Sequence, residues 1–312
     1  MKVLSVFDGI SCGRVALERA GIPVDTYYAS EIEPSSIAIS KKNYPDIIHL
    51  GDVTKWSEWD IPWGEIDLLI GGSPCQGFSF AGKQLNFDDP RSKLFFVYVD
   101  ILNHIKKYNP QVKFLLENVV MKEEHKAVIT DRLGCEPVLI NSNLFSAQNR
   151  PRLYWCNFDI PELPSECPYT LRDVFDPNLK HREIHINHPD TIVKCKTYYQ
   201  YDQNRRGHNS QDQRFFDIDT KSNTLLLSSS SIPKVRVDDG RVYLLTPEEC
   251  AELQTLDGEY LNAAGVSKAA KYGALGNGWT VNVISHIFGG LPQQRPAPKI
   301  SDWLRDLLGD CL

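Results

Sequence analysis

A chain of 312 residues, 42% hydrophobic and 24% charged, has enough apolar material for a large core, in one large domain or two modest ones. No apolar stretch approaches the roughly 20 residues that span a bilayer, so no membrane partner is expected. The net charge of −6 disfavours indiscriminate nucleic-acid binding without excluding a local basic patch, and the eight cysteines, never closer than 11 positions, offer no C-x-x-C metal pair.

The opening "KVLSVF" (2–7) reads as a first strand, too short an apolar run for a signal peptide, in a protein expected in the cytoplasm. "GRVALERAGI" (13–22) has a helical pattern, "VDTYYAS" (24–30) suggests a second strand, and "PSSIAISKKN" (34–43) a helix opening on Pro34. "IDLLI" (66–70) is a buried central strand. "RSKLFFVYVDILNHIKK" (91–107) sets Leu94, Tyr98, Ile101 and Ile105 on one helical face, and "VKFLLE" (112–117) is a further strand. Such alternation predicts an α/β fold, a doubly wound and mostly parallel sheet covered by helices. From about residue 157 to 240 the texture turns rich in Pro, Asn, Asp, Gln and Ser, which predicts a smaller, irregular second domain. Regularity returns at "LTPEECAELQTL" (245–256), where Thr246 caps a helix with Pro247 and Glu249 in its first turn, and at "WTVNVISHIFGGL" (279–291), which should pack back on the first domain.

The loop "FDGISCG" (7–13) joins the first strand to the first helix, where doubly wound folds receive ligands. Glu31 follows 23 residues after Asp8, suited to ribose hydroxyls, and Asp52 in "GDV" (51–53) suits an exocyclic amine. The loop is not G-x-G-x-x-G, and its acidity fits a cationic adenosyl-sulfonium better than a pyrophosphate. A surface turn with two solvated acids fits these residues as well.

Further on, "SPCQ" (73–76) sets Cys75 just past a buried strand, and "ENV" (117–119) begins 42 residues after that cysteine. "QNRPR" (148–152) and "GNGWTVNV" (276–283) come later. In this order the motifs resemble those of the cytosine-5 DNA methyltransferase family, across nearly the whole chain except 157–240. "FDGISCGRVALERAGI", "ASEIEPSSI" and "SKLFFVYVDIL" are closer to the animal de novo enzymes. "LTPEECAELQ" and "LGNGWTVNVISHIF" look bacterial or phage-like.

The resemblance implies a class I S-adenosylmethionine-dependent, Rossmann-like fold. Residues 1–156 would form the catalytic domain, 157–245 a target-recognition domain, and 246–312 a return segment. It implies that Cys75 adds to carbon 6 of cytosine, making carbon 5 an enamine nucleophile for the sulfonium methyl. Glu117 would hold ring nitrogen 3 and the 4-amino group, with Arg150 and Arg152 orienting the base and the carboxylate. S-adenosyl-L-methionine, leaving as S-adenosyl-L-homocysteine, would lie against Phe7, Asp8, Gly9, Ile10, Ser11, Cys12, Glu31, Ile32, Asp52, Val53, Pro74, Asn277, Gly278 and Trp279. Singly, Glu117 with Arg152 also reads as a buried ion pair, Gln148 as a turn former and Trp279 as core.

A base within a duplex must be flipped out to reach such a site. The loop from Gln76 to about Arg91 would close over it, with Ser79, Lys83 and Arg91 within reach of phosphates or simply solvated. Lys194, Lys196, Arg205, Arg206 and Arg214, against Asp202 and Asp212, form a local basic patch that reads as a solvated face or as contacts to double-stranded DNA. "SNTLLLSSS" (222–230) looks like the family's Thr-Leu element, which would place Thr224 and Leu225 near the target's backbone. A cognate restriction endonuclease is a candidate partner, and the setting implied is the cytoplasm of a bacterial or phage-infected cell. The competing readings are an RNA methyltransferase, disfavoured by the missing Cys-Phe-Thr signature, a catalytically silent homologue, and an unrelated thiol enzyme lacking a nearby histidine.

Overall fold

The computed structural model describes residues 1–73, 93–185, 192–195, 198–201, 214–227 and 232–292. Pro74, Cys75, Gln76, Ser79, Lys83, Arg91, Arg205 and Arg206 lie outside the described residues.

Seven strands form the main sheet: β1 (Lys2–Val6), β2 (Thr26–Ser30), β3 (Ile48–His49), β4 (Leu68–Gly72), β5 (Lys113–Val119), β6 (Val138–Asn141) and β7 (Pro151–Cys156). Their order is β3-β2-β1-β4-β5-β7-β6, with β7 alone running against its neighbours. The near-continuous apolar runs arise because both faces are covered, so neither needs polar residues. Val3, Leu68, Ile70 and Leu115 enter one buried layer, and Leu4, Leu69, Phe114 and Leu116 the other. Side-chain alternation thus splits one run between two cores.

The second layer is closed by α3 (Lys93–Tyr108) and α4 (Glu123–Leu133) through Phe95, Tyr98, Ile101, Ile105, Ile129 and Leu133. Against the other face lie α1 (Cys12–Arg19) and α2 (Pro34–Asn43), the latter starting on Pro34 with the Glu33 side chain accepting from Ser35 N–H. After a four-residue helix, α5 (Leu171–Val174), three C-terminal helices complete that side: α6 (Pro247–Leu253), α7 (Lys268–Asn277) and α8 (Val281–Phe288). The expected Thr246 cap is present as a reciprocal box, with Glu249 N–H donating to Thr246 Oγ1 at 3.2 Å and Thr246 N–H to Glu249 Oε2 at 2.7 Å. α8 returns to α1, where Arg19 donates to Asn282 Oδ1 at 2.8 Å.

The segment expected to be irregular carries a second sheet. Its strands are β8 (Arg182–Glu183), β9 (Ile192–Lys194), β10 (Tyr199–Tyr201), β11 (Arg214–Asp217), β12 (Lys234–Arg236) and β13 (Val242–Leu244), in the order β8-β13-β12-β11-β10-β9. Only β11 and β12 pair in parallel. Strands of two to four residues are too short for alternation to show in sequence. Phe216, Leu225 and Val235 join the same buried cluster as α1, α6 and α8, so the core runs on without a break. Among the described residues no helix is long and apolar enough to cross a membrane.

Candidate active site

Parallel strands aim their carboxyl ends at one edge, and the loops leaving that edge collect the motif residues. After β1 the backbone takes left-handed values at Phe7 (φ 58°), Gly9 (φ 61°) and Ser11 (φ 60°), folding the loop tightly into α1. Tyr27 Oη and Ser11 Oγ donate to the two oxygens of Asp8 at 2.8 and 2.5 Å. Burial outweighs these donors and pushes the Asp8 carboxyl up to about 6. Glu31, past the end of β2, accepts from Gly9 N–H at 2.8 Å and from the N–H groups of Ile32 and Glu33 at 2.7 and 2.8 Å. Ile32 is 69% exposed, an apolar surface beside that carboxylate. Asp52 accepts from Thr54 N–H and Oγ1, which hold its carboxyl below the usual range.

Several expected ligand residues turn inward instead. Ile10, Ser11, Cys12 and Val53 have buried side chains. Ile10 gives its carbonyl to Tyr260 Oη at 2.6 Å, and Ser11 Oγ also meets Ser40 Oγ at 2.7 Å. Burial drives the Cys12 thiol up to about 12, so it is an inert packing group beneath the loop. Phe7, Asp8, Gly9, Glu31, Ile32, Asp52 and Asn277 retain exposed surface.

At the ends of β4 and β5 a second group assembles. Gly72 pairs with Glu117, and the buried Asn118 Nδ2 donates to Ser73 Oγ at 3.1 Å and to its carbonyl at 3.4 Å. Ser73 is the last described residue before Pro74 and Cys75. Glu117, 8% exposed, receives Arg152 Nε on Oε1 at 3.0 Å and Trp279 Nε1 on Oε2 at 3.2 Å. β7 reaches this edge because it is antiparallel: Arg152, near its start, pairs with Val119 at the end of β5. A carboxylate oxygen has two acceptor directions, so both oxygens of Glu117 keep capacity for a further donor.

Arg150 is held by backbone carbonyls. Its guanidinium, 4% exposed, donates to the carbonyls of Leu225, Gly276 and Gly278, each at 2.9 Å. It bolts three chain segments together. Leu225 is likewise buried, at 4% exposure; its N–H goes to Gln148 Oε1 at 2.9 Å and its carbonyl to Arg150. Thr224 Oγ1 donates to Asn149 O at 2.7 Å. The Thr-Leu element therefore braces "QNRPR" from within, and it is the following Leu226 and Leu227 that are exposed. Arg214, in β11, lies over the Tyr198 ring at 4.6 Å.

Sequence reasoning missed Tyr27, Asn118 and Gln254. Gln254, fully buried, donates to the carbonyls of Leu275 and Gly278 and accepts from Thr280 Oγ1, so it anchors the Asn277–Trp279 turn. Asn118 was legible as the middle of "ENV"; nothing in the sequence sets Gln254 apart from other glutamines.

The family described as C-5 cytosine-specific DNA methylase has a sequence profile that matches residues 1–293. The chain belongs to this family. Over 123 residues it is 41% identical to the type II methyltransferase M.NgoBV of Neisseria gonorrhoeae, covering 38% of this chain and 28% of that protein. Over 169 residues it is 38% identical to the type II methyltransferase M1.ScrFI of Lactococcus lactis subsp. cremoris, covering 51% and 41%. The matched segments thus span well under half the length of these relatives. The S. pombe Dnmt2 methyltransferase shares the fold, with a TM-score of 0.65 at 21% identity over 93% of this chain and 97% of that one. Family and fold are those of S-adenosylmethionine-dependent methyltransferases.

Proposed function

We propose that this methylase-family chain is a DNA cytosine-5 methyltransferase that methylates a flipped-out cytosine of double-stranded DNA through a covalent adduct on Cys75. The observation that carries the reading is the Glu117 carboxylate, held by Arg152 and Trp279, next to a Ser73 that Asn118 pins immediately before Pro74 and Cys75.

The groups gathered at the carboxyl edge suit S-adenosyl-L-methionine. The acids Asp8, Glu31 and Asp52 suit a cation with ribose and amine donors, and exposed Ile32 with Phe7 offers apolar cover for an adenine. Asn277 and Gly278 would close the other side. When bound, the cofactor supplies an electrophilic methyl group and leaves as S-adenosyl-L-homocysteine.

The chain's own residues do the rest. The Cys75 thiolate forms a bond to carbon 6, and the ring π electrons move toward nitrogen 3 and carbon 5. Glu117 holds a proton at nitrogen 3 and accepts from the 4-amino group, stabilising that charge in a site largely shut to water. Arg152 keeps the carboxylate in place and lies near the base oxygen. Once carbon 5 is methylated it gives its proton to solvent, and the electron pair of that bond restores the carbon 5–carbon 6 double bond. The carbon 6–sulfur bond breaks with its electrons returning to Cys75 as thiolate.

Residues 157–245 would read the target, with 246–312 completing the catalytic part. Arg214 and Lys194 of the second sheet, together with Arg205, Arg206, Ser79, Lys83 and Arg91, are candidates for the DNA backbone. The type II relatives support a cognate restriction endonuclease as a genetic partner. Bisulfite sequencing of DNA from a host free of cytosine methylation, expressing this chain, tests the reading. Protected cytosines in one fixed context are expected. Complete conversion, with soluble protein that still binds the cofactor, would refute it.

A further inference from the structure

Trp279 has two claims on it: a wall of the cofactor cleft, or a role in the chemistry itself. Its indole N–H points at Glu117 Oε2, 3.2 Å away, while Arg152 Nε takes Oε1 at 3.0 Å. Among the described residues each oxygen of the carboxylate thus has one fixed donor, and two points set the plane of the group. An indole nitrogen can only donate, so the contact cannot invert.

The ring has a slot built for it. A Cβ on Gly72 would lie 3.0 Å from Glu117 Oε2 and 3.1 Å from Trp279 Nε1, and a Cβ on Gly13 would lie 3.5 Å from Trp279 Cζ3. Gly72 therefore leaves the space in which the indole meets the carboxylate. The other end of the residue is also tied down. Gln254 Nε2 holds the preceding Gly278 carbonyl at 3.2 Å, and the far edge of the ring faces Gly13 where the loop enters α1. One residue thus joins the loop after β1 to the carboxylate at the end of β5.

We propose that Trp279 is a positioning residue for base activation. Its indole N–H holds the Glu117 carboxylate in the orientation that meets ring nitrogen 3 and the 4-amino group. This rests on the methyltransferase reading above and assigns Trp279 a part in the first half of the reaction, before methyl transfer.

The two halves can be measured apart. Reversible addition of Cys75 to carbon 6 makes the hydrogen on carbon 5 exchange with solvent, with no cofactor required. The probe is duplex DNA from a methylation-free host, tritiated at cytosine carbon 5. W279F keeps an aromatic ring and loses the N–H. Benzothienylalanine placed at position 279 keeps the bicyclic shape as well and carries the test if W279F fails to fold. The expected result is tritium release slowed about ten-fold in both variants, with S-adenosylmethionine affinity within about two-fold of the unaltered chain and an unchanged melting temperature. Release at the unaltered rate in either variant would overturn the proposal. So would retained release with cofactor affinity down ten-fold or more, which would make the indole a cofactor wall. No release by the unaltered chain would overturn the methyltransferase reading itself, a distinct failure.

Discussion

Two arginines stand two positions apart in "QNRPR", and Arg150→Met should separate their roles. Methionine preserves much of the buried volume and removes the three bonds to the carbonyls of Leu225, Gly276 and Gly278. A hydrogen bond to a charged donor contributes about 1.5–3 kcal/mol, and carbonyls left unpaired in the interior add a penalty of similar size. Losses within one network do not sum fully, so about 3–5 kcal/mol is expected for the variant. Urea unfolding followed by circular dichroism measures it, with the slope compared to that of the unaltered chain. Arg150→Lys should recover little, because an ammonium on a flexible stem does not reproduce a planar fork reaching several carbonyls. Arg152→Lys should shift the midpoint far less and depress turnover more, since Arg152 holds Glu117 and not three backbone carbonyls. A loss below about 1 kcal/mol in Arg150→Met would refute the bolt and return Arg150 to the base-binding role its motif suggests.

Gly276→Ala should destabilise by about 1–3 kcal/mol, because the new Cβ would sit 2.4 Å from the carbonyl carbon and oxygen of Leu226, which are backbone and cannot swing aside; thermal unfolding reads this directly. Asp8, raised from 3.8 to about 6, favours its neutral form in the fold. That contribution is complete below about pH 4 and is lost as pH rises through about 6, so stability should fall by up to about 2–3 kcal/mol across this window, and Asp8→Asn should flatten the slope. Over the same range cofactor affinity, followed by calorimetry, should rise as the carboxyl gains the charge that attracts a cationic ligand. Cys75→Ser should abolish methyl transfer while cofactor affinity holds within about two-fold; comparable turnover would discard the covalent route.

The main sheet was legible because burial on both faces leaves strands such as "IDLLI" and "VKFLLE" apolar throughout, and α3 showed its periodicity over 16 residues. The antiparallel sense of β7 was not legible, since direction depends on what precedes a strand and not on its composition. The second sheet hid behind its short strands. Glu117 and Arg152 stand together as their motifs implied, but motif membership says nothing about where a side chain turns. Arg150 and Leu225 illustrate this: both sit in recognisable elements, and both are spent inside the protein. Gln254 was invisible for the opposite reason, being an unremarkable residue made central by packing alone.

The contact between α1 and α8 has a consequence for how the chain is made. Val15, Ala16 and Leu17 are covered in part by a helix that begins at Val281, and Ile10 gives its carbonyl to Tyr260, 250 positions further on. At a translation rate of about 5–20 residues per second, the first helix waits roughly 15–50 s for its cover. During synthesis it presents a bare apolar stripe that must be shielded by a chaperone or by transient non-native contacts. The loop after β1, which leads into α1, can therefore take its final form only after the α8 segment has left the ribosome.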